Sequence, residues 1–134
     1  MRNKFYKAIK FISIMSILAS CSFFYKTDVP KDLEECFERL NIVLPQEVIE
    51  DIKNMKENEE TVLHHLDIGM WIRNHWGLWK GNTALHKMFI DRKIYHPDEM
   101  SGLILRFYYE YLNGNNENWK KWMETSYQKN NSEN

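Results

Sequence analysis

The chain has 134 residues and a formal net charge of −1, from 18 Lys and Arg against 19 Asp and Glu. This length fits a single domain, and the near balance of charge excludes the basic surface expected of a nucleic-acid-binding protein. Two cysteines are too few for a disulfide scaffold. The composition therefore indicates one small globular domain with no nucleic-acid partner.

The first twenty residues differ from the rest of the chain. Residues 1–10 carry four basic side chains and no acidic one, and residues 11–19 are apolar apart from two serines. This pattern is typical of a secretory signal peptide. A transmembrane anchor is the alternative, but the uncharged run from Phe11 to Tyr25 has 15 residues, whereas a membrane span needs about 20. We therefore expect residues 1–20 to direct export.

The signal ends in Leu18-Ala19-Ser20-Cys21, which resembles the lipobox of bacterial lipoproteins. The resemblance implies transfer of lipid to the Cys21 thiol, cleavage before Cys21, and acylation of the new amino terminus, with palmitate among the expected acyl groups. An ordinary signal peptide followed by a chance cysteine is the alternative. Several acyl chains hold a protein durably at a membrane, since each buried methylene contributes about 0.8 kcal/mol. We expect an exported, membrane-anchored lipoprotein that faces the periplasm or the cell surface.

Cleavage would make the chain more acidic. The signal carries four of the 18 basic residues, so the mature chain keeps 14 bases against 19 acids and a formal net charge of −5. Residues 21–30 are expected to be a tether, and the nine extended residues after Cys21 reach at most about 30 Å. Cys36 lies on an apolar helical stripe, which predicts a buried side chain rather than a reactive thiol.

Past the tether, apolar residues recur at helical spacing, which predicts an all-α domain over residues 31–127. We expect a compact bundle of about five helices with a short sixth at the C-terminus, and a frayed tail over residues 128–134. The first four helices are placed from about Lys31 to Asn41, from Pro45 onward, from about Glu59 to Trp76, and after a cap at Asn82 or Thr83. Gly77 is expected to end the third helix in a left-handed conformation.

The fifth helix has the clearest signals. Pro97 suits its first position, and Asn113-Gly114 ends it. A helical projection places five apolar side chains on one face: Met100, Ile104, Phe107, Tyr108 and Tyr111. The other face carries Glu99, Arg106, Glu110 and Asn113. The sixth helix is predicted from Trp119, Trp122 and Met123.

The third helix, which we expect to be central, carries an arginine on its apolar side. That side is predicted to include Met70 and Arg73. An isolated charge is not tolerated in a core, so Arg73 requires a carboxylate from another segment. Asp98 and Glu99 are the expected partners because both lie in the first turn of the fifth helix.

Two stretches around these residues resemble a small bacterial domain family of unknown function. They are Trp-Ile-Arg-Asn-His-Trp-Gly-Leu-Trp over residues 71–79 and His-Pro-Asp-Glu-Met-Ser over residues 96–101. The match covers about Pro30 to Gly114. It implies no activity, but it implies that Arg73 and the turn at residues 96–101 belong to one constellation.

Two interpretations of this constellation stay open. In one, Arg73, with His96, Asp98 and nearby tryptophans, binds a carboxylate, a phosphate or a partner side chain. In the other, Arg73 and a carboxylate form a structural ion pair that holds the fifth helix on the third.

The tryptophans of the same segment present a parallel choice. Trp71, Trp76 and Trp79 could form a flat platform for sugar rings or a contact patch for a protein. The preferred interpretation is that at least two of them fill the core, since the domain is small.

Spacing argues against a metal site. His64 and His75 fall on one side of the third helix, but eleven residues separate them by about 16 Å, too far for one ion. No His-Glu-x-x-His, Cys-x-x-Cys or Gly-x-Ser-x-Gly pattern occurs. We therefore expect no metal, no cofactor and no catalytic residue.

Function follows from the predicted location and the constellation. We expect a membrane-anchored lipoprotein that acts as a binding module of the bacterial cell envelope, with an envelope protein or glycan as partner. The alternative is a small envelope enzyme that acts on a polar metabolite or glycan through Arg73, His96 and Asp98.

Overall fold

The computed structural model describes the backbone of residues 29–56 and 67–130. Six α-helices and no strand occur among these residues. They are α1 (Leu33–Val43), α2 (Gln46–Lys53), α3 (Ile68–His75), α4 (Ala84–Ile90), α5 (Pro97–Leu112) and α6 (Glu117–Asn130). The predicted all-α fold is confirmed.

Several sequence predictions concern residues outside the described ranges. These are the signal peptide with Cys21, most of the tether, the part of the third helix before Asp67 including His64, and residues 131–134. The last two residues of the predicted tether, Val29 and Pro30, pack on the domain, and Pro30 is fully buried. At the other end, α6 includes residues 128–130 of the predicted tail.

Capping by Asp32 fixes the start of α1. Its carboxylate accepts a hydrogen bond from the Glu35 N–H at 3.0 Å, so the helix begins at Leu33, two residues later than predicted. The helix buries Cys36 as expected. Burial, with the nearby charges of Asp32 and Glu35, raises the pKa of the Cys36 thiol well above its ordinary value.

Two left-handed residues end the helices that flank the constellation. Gly77 (φ +67°) ends α3 as predicted, and the Leu78 N–H donates to the Arg73 carbonyl at 3.2 Å, the long bond of a Schellman motif. Thr83 caps α4, since its Oγ1 accepts from the His86 N–H at 3.1 Å. Lys93 (φ +62°) follows α4. These turns set the directions in which the two loops leave their helices.

Among the described helices, α5 is central, and the third helix that the sequence predicted as central is described only from Asp67 onward. Helix α5 contacts α1, α2, α3 and α6, and its largest contact is with α3. Its inner face is buried as predicted through four side chains: Met100, Ile104, Phe107 and Tyr108. Tyr108 is fully buried, and its hydroxyl donates to Asn41 Oδ1 of α1 at 2.8 Å. The described part of α3 spans eight residues, whereas α5 spans 16.

The predicted outer face of α5 is wrong at Glu110. This residue is 9% exposed, and its Oε1 lies 3.8 Å from Arg106 Nε. Phe107, one turn earlier, packs against Trp122 of α6 with ring centroids 5.5 Å apart. Glu110 is therefore buried, although the projection assigned it to solvent.

Candidate functional site

Arg73 lies on α3, and its side chain is almost entirely covered, with 11% of it exposed. Its Nε lies 3.0 Å from Asp98 Oδ1, as an ion pair whose N–H is not aligned for a hydrogen bond. Its Nη1 donates to Ser101 Oγ at 2.9 Å. Of the two carboxylates that the sequence offered, the structure pairs Asp98 with Arg73, and Glu99 lies exposed beside it. The guanidinium thereby joins α3 to the first turn of α5.

Ser101 completes this joint from the α5 side. It is fully buried, and its hydroxyl accepts from Arg73 and donates to the Asp98 carbonyl at 3.0 Å. The hydroxyl proton is therefore used inside the helix turn. Among the described residues, the partners of the Ser101 oxygen are the Arg73 guanidinium and the Asp98 carbonyl, and neither acts as a base that would activate a nucleophile.

His96 and Asp98 interact twice at the start of α5. The Asp98 N–H donates to His96 Nδ1 at 3.2 Å, so the imidazole acts as the N-cap of the helix. That bond requires a lone pair on Nδ1 and places the proton of a neutral ring on Nε2. Asp98 Oδ2 lies 3.4 Å from the same Nδ1.

The three tryptophans do not form a platform. Trp71 and Trp76 are buried, with ring centroids 5.8 Å apart and edge to face. Trp71 also stacks on His75 at 4.7 Å. Trp79 is 56% exposed, and its ring meets that of His96 edge to face at 6.1 Å. Core filling thus accounts for two tryptophans, and one reaches solvent.

Two exposed apolar side chains were missed or misplaced by the sequence. Met70, predicted on the buried side, is 44% exposed because α3 buries Ile68, Trp71 and Ile72 instead. Tyr95 is 64% exposed and precedes His96. An aromatic residue directly before a His-Pro helix start was the signal available for it.

Several exposed groups lie near the ion pair, either in contact with one another or next to its residues in the chain. Together we call them the Trp79 surface, which comprises Met70, Trp79, Tyr95, His96 and the half-exposed carboxylate of Asp98. His96 contacts both Trp79 and Asp98, and Met70 lies one turn before Arg73 on α3. Apolar rings next to fixed polar groups can take a partner through burial and directed hydrogen bonds together.

The described part of the chain contains no cluster of side chains that could hold a metal ion. No group of three His, Cys, Asp or Glu side chains converges within residues 29–56 and 67–125. Among the same segments, none of the helices combines the length and the hydropathy needed to cross a membrane.

Comparison with known proteins gives a family. Residues 29–112 match the family described as a domain of unknown function (DUF6794). The chain belongs to this family. No curated protein and no solved structure matches the chain. The match agrees with the resemblance seen in the sequence over about Pro30 to Gly114.

The range matched by the DUF6794 family includes the candidate site and ends before α6. The Trp79 surface and the Arg73–Asp98 pair lie inside the matched range, as do α1 to α5. The sixth helix lies outside it. The domain therefore contains its whole candidate site without α6.

Proposed function

We propose that this protein is a lipoprotein of the bacterial cell envelope, anchored through Cys21, whose DUF6794 domain binds an envelope protein through the Trp79 surface. The lipobox Leu18-Ala19-Ser20-Cys21 supports the anchor. Acyl chains rather than charge would hold the domain at the membrane, because the mature chain is acidic with a formal net charge of −5. A tether of about 30 Å at most would keep the domain close to the lipid surface.

One observation carries the binding role. Of the four large hydrophobic side chains that are exposed among the described residues, three belong to the Trp79 surface, and the fourth, Ile42, lies elsewhere. Asn41, next to Ile42, contacts Tyr108, which is ten residues and about 15 Å along α5 from Asp98. Trp, Tyr and Met are enriched in protein interfaces, which favours a protein over a glycan as partner.

Binding fits this geometry better than catalysis. Arg73 is covered and engaged with Asp98 and Ser101, so it is not open to a substrate. His96 Nδ1 already accepts the Asp98 N–H, which leaves Nε2–H as a donor and no free base on that ring. We therefore favour the binding module over an enzyme that uses Arg73, His96 and Asp98.

Photocrosslinking in living cells tests the binding role. Tyr95 is replaced by a photoreactive phenylalanine, and Ile42, similarly exposed but distant, carries the same group in a matched control. We expect a discrete crosslinked protein from position 95 and none from position 42. Equal crosslinking from both positions would contradict the proposal, and so would an adduct at position 95 that contains glycan alone.

Acylation needs its own test, because anchor and binding can fail separately. Cells are fed an alkyne analogue of palmitate, and the protein is compared with its Cys21→Ser variant. We expect label in the membrane fraction for the parent chain and none for the variant. Label on both chains, or on neither, would contradict the proposed anchor at Cys21 and would not affect the crosslinking result.

A further inference from the structure

The part of α6 whose side chains are described, residues 117–125, touches the domain through few of them. Among residues 117–125, three apolar side chains reach the core: Trp119, Trp122 and Met123. The remaining six side chains of that stretch are exposed. Trp119 is buried edge to face with Phe37, with ring centroids 5.3 Å apart, and its indole N–H donates to Asn116 Oδ1 just before the helix. Within residues 117–125 the contact is thus narrow, and the exposed side chains of that stretch are polar.

Trp122 occupies an aromatic slot of the domain. Its ring lies 5.5 Å from both Phe89 of α4 and Phe107 of α5, at tilts of 49° and 51°. The guanidinium of Arg92 lies over the same ring, 4.3 Å from its centroid. Phe37, Phe89, Arg92 and Phe107 together form what we call the α6 groove.

Arg92 contacts the backbone of α6 as well as the Trp122 ring. Its Nε donates to the Trp122 carbonyl at 3.2 Å and its Nη2 to the Met123 carbonyl at 2.8 Å. The third donor, Nη1, bonds the Met88 carbonyl of α4 at 2.8 Å. One planar fork therefore ties the end of α4 to two successive carbonyls of another helix. Lysine could not reproduce this, because its ammonium is a point donor without the fork.

We propose that the α6 groove is a binding site for a helix that carries a tryptophan, and that α6 is its displaceable occupant in this chain. Every groove residue lies within the DUF6794 domain at residues 29–112, whereas α6 lies beyond it. The link between them contains Gly114 (φ +75°), around which there is open space. The helix can leave without unwinding α5, and the groove then accepts a similar helix.

Hydrogen exchange of the full-length chain tests whether α6 opens by itself. We expect amides of residues 120–125 to exchange at least tenfold faster than those of residues 104–108 in α5. Arg92→Met should accelerate the first set by a further tenfold or more and leave the second unchanged. Equal exchange of the two sets in the parent chain, or equal acceleration of both by the variant, would overturn the proposal.

Addition of a helix in trans tests the groove itself. The probe is a synthetic peptide of residues 116–130, titrated into the full-length Trp122→Ala chain and into the parent chain. The variant should bind at least tenfold more tightly, because its own α6 no longer fills the aromatic slot. A peptide that lacks the tryptophan at position 122 should not bind either chain. Failure of the tryptophan-containing peptide to bind the variant would overturn the proposal.

Discussion

The two residues of the Arg73–Asp98 pair should differ in how much free energy of unfolding is lost when each is substituted. The two side chains differ in exposure, with 11% for Arg73 and 48% for Asp98. A charge left behind in water is hydrated, whereas a charge left behind under cover is not. We therefore expect Asp98→Ala to destabilise the domain more than Arg73→Met.

The expected magnitudes follow from the contacts. Arg73→Met loses the charged hydrogen bond to Ser101, about 1.5–3 kcal/mol, and an ion pair to a half-exposed carboxylate, about 0–1 kcal/mol. Methionine keeps the apolar stem in place. The total is about 1.5–4 kcal/mol. Asp98→Ala leaves the guanidinium covered without its counter-charge, which is expected to cost about 3–4 kcal/mol by analogy with broken buried pairs.

Equilibrium urea unfolding followed by circular dichroism measures both free energies of unfolding. The background is the full-length chain with Cys21→Ser. Lys87→Met is the matched control, because Lys87 pairs with Asp91 at 2.8 Å while its side chain is 74% exposed, and its loss should cost less than about 0.5 kcal/mol. The reasoning is refuted if Arg73→Met costs more than Asp98→Ala, or no more than Lys87→Met.

Three further predictions use the same unfolding assay. Lys93→Gly should raise the free energy of unfolding by about 0.5–1 kcal/mol, because Lys93 holds φ +62° where glycine is unstrained, and a loss would contradict this. Gly77→Ala should cost more than Gly114→Ala, since both have positive φ but only the Cβ at Gly77 meets a neighbour, Thr83 Cγ2 at 3.0 Å; equal losses would show that φ alone matters. Tyr108→Phe should cost about 1 kcal/mol near neutral pH through its lost hydrogen bond. Burial raises the pKa of Tyr108, so the contribution of its neutral hydroxyl to the free energy of unfolding is full below about pH 10 and is lost as the pH rises further. The Tyr108→Phe variant should therefore lose less stability between about pH 9 and pH 11 than the parent chain.

The sequence predicted those features that depend on local periodicity and on capping chemistry. The start of α5 at Pro97 and the left-handed end of α3 at Gly77 are set by the residues themselves, since proline fixes φ and glycine tolerates φ above zero. The need of Arg73 for a carboxylate followed from the cost of an unpaired buried charge, and the structure supplies Asp98.

Features that depend on the packing of distant segments could not be predicted in this way. A helical projection assigns each residue to a face but does not say which faces are covered. Glu110 is buried although the projection places it on the outer face, and Met70 is exposed because its helix turns Trp71 and Ile72 inward. The role of Arg92 gave no sequence signal, because its partners are backbone carbonyls 30 and 31 residues away.

Variants of the Arg73–Asp98 pair can weaken binding indirectly, because the pair lies between the two loops that carry the Trp79 surface. Trp79 lies on the loop that follows α3, and Tyr95 and His96 lie on the loop that leads into α5, so the pair fixes the relative placement of both loops. Loss of a partner in Arg73→Met would therefore be expected even if Arg73 never touches that partner. Trp79→Ala separates the two roles, because its ring is 56% exposed and its removal should leave the free energy of unfolding within about 0.5 kcal/mol. Loss of crosslinking from position 95 in that variant, at unchanged stability, would assign the contact to the surface itself rather than to the frame beneath it.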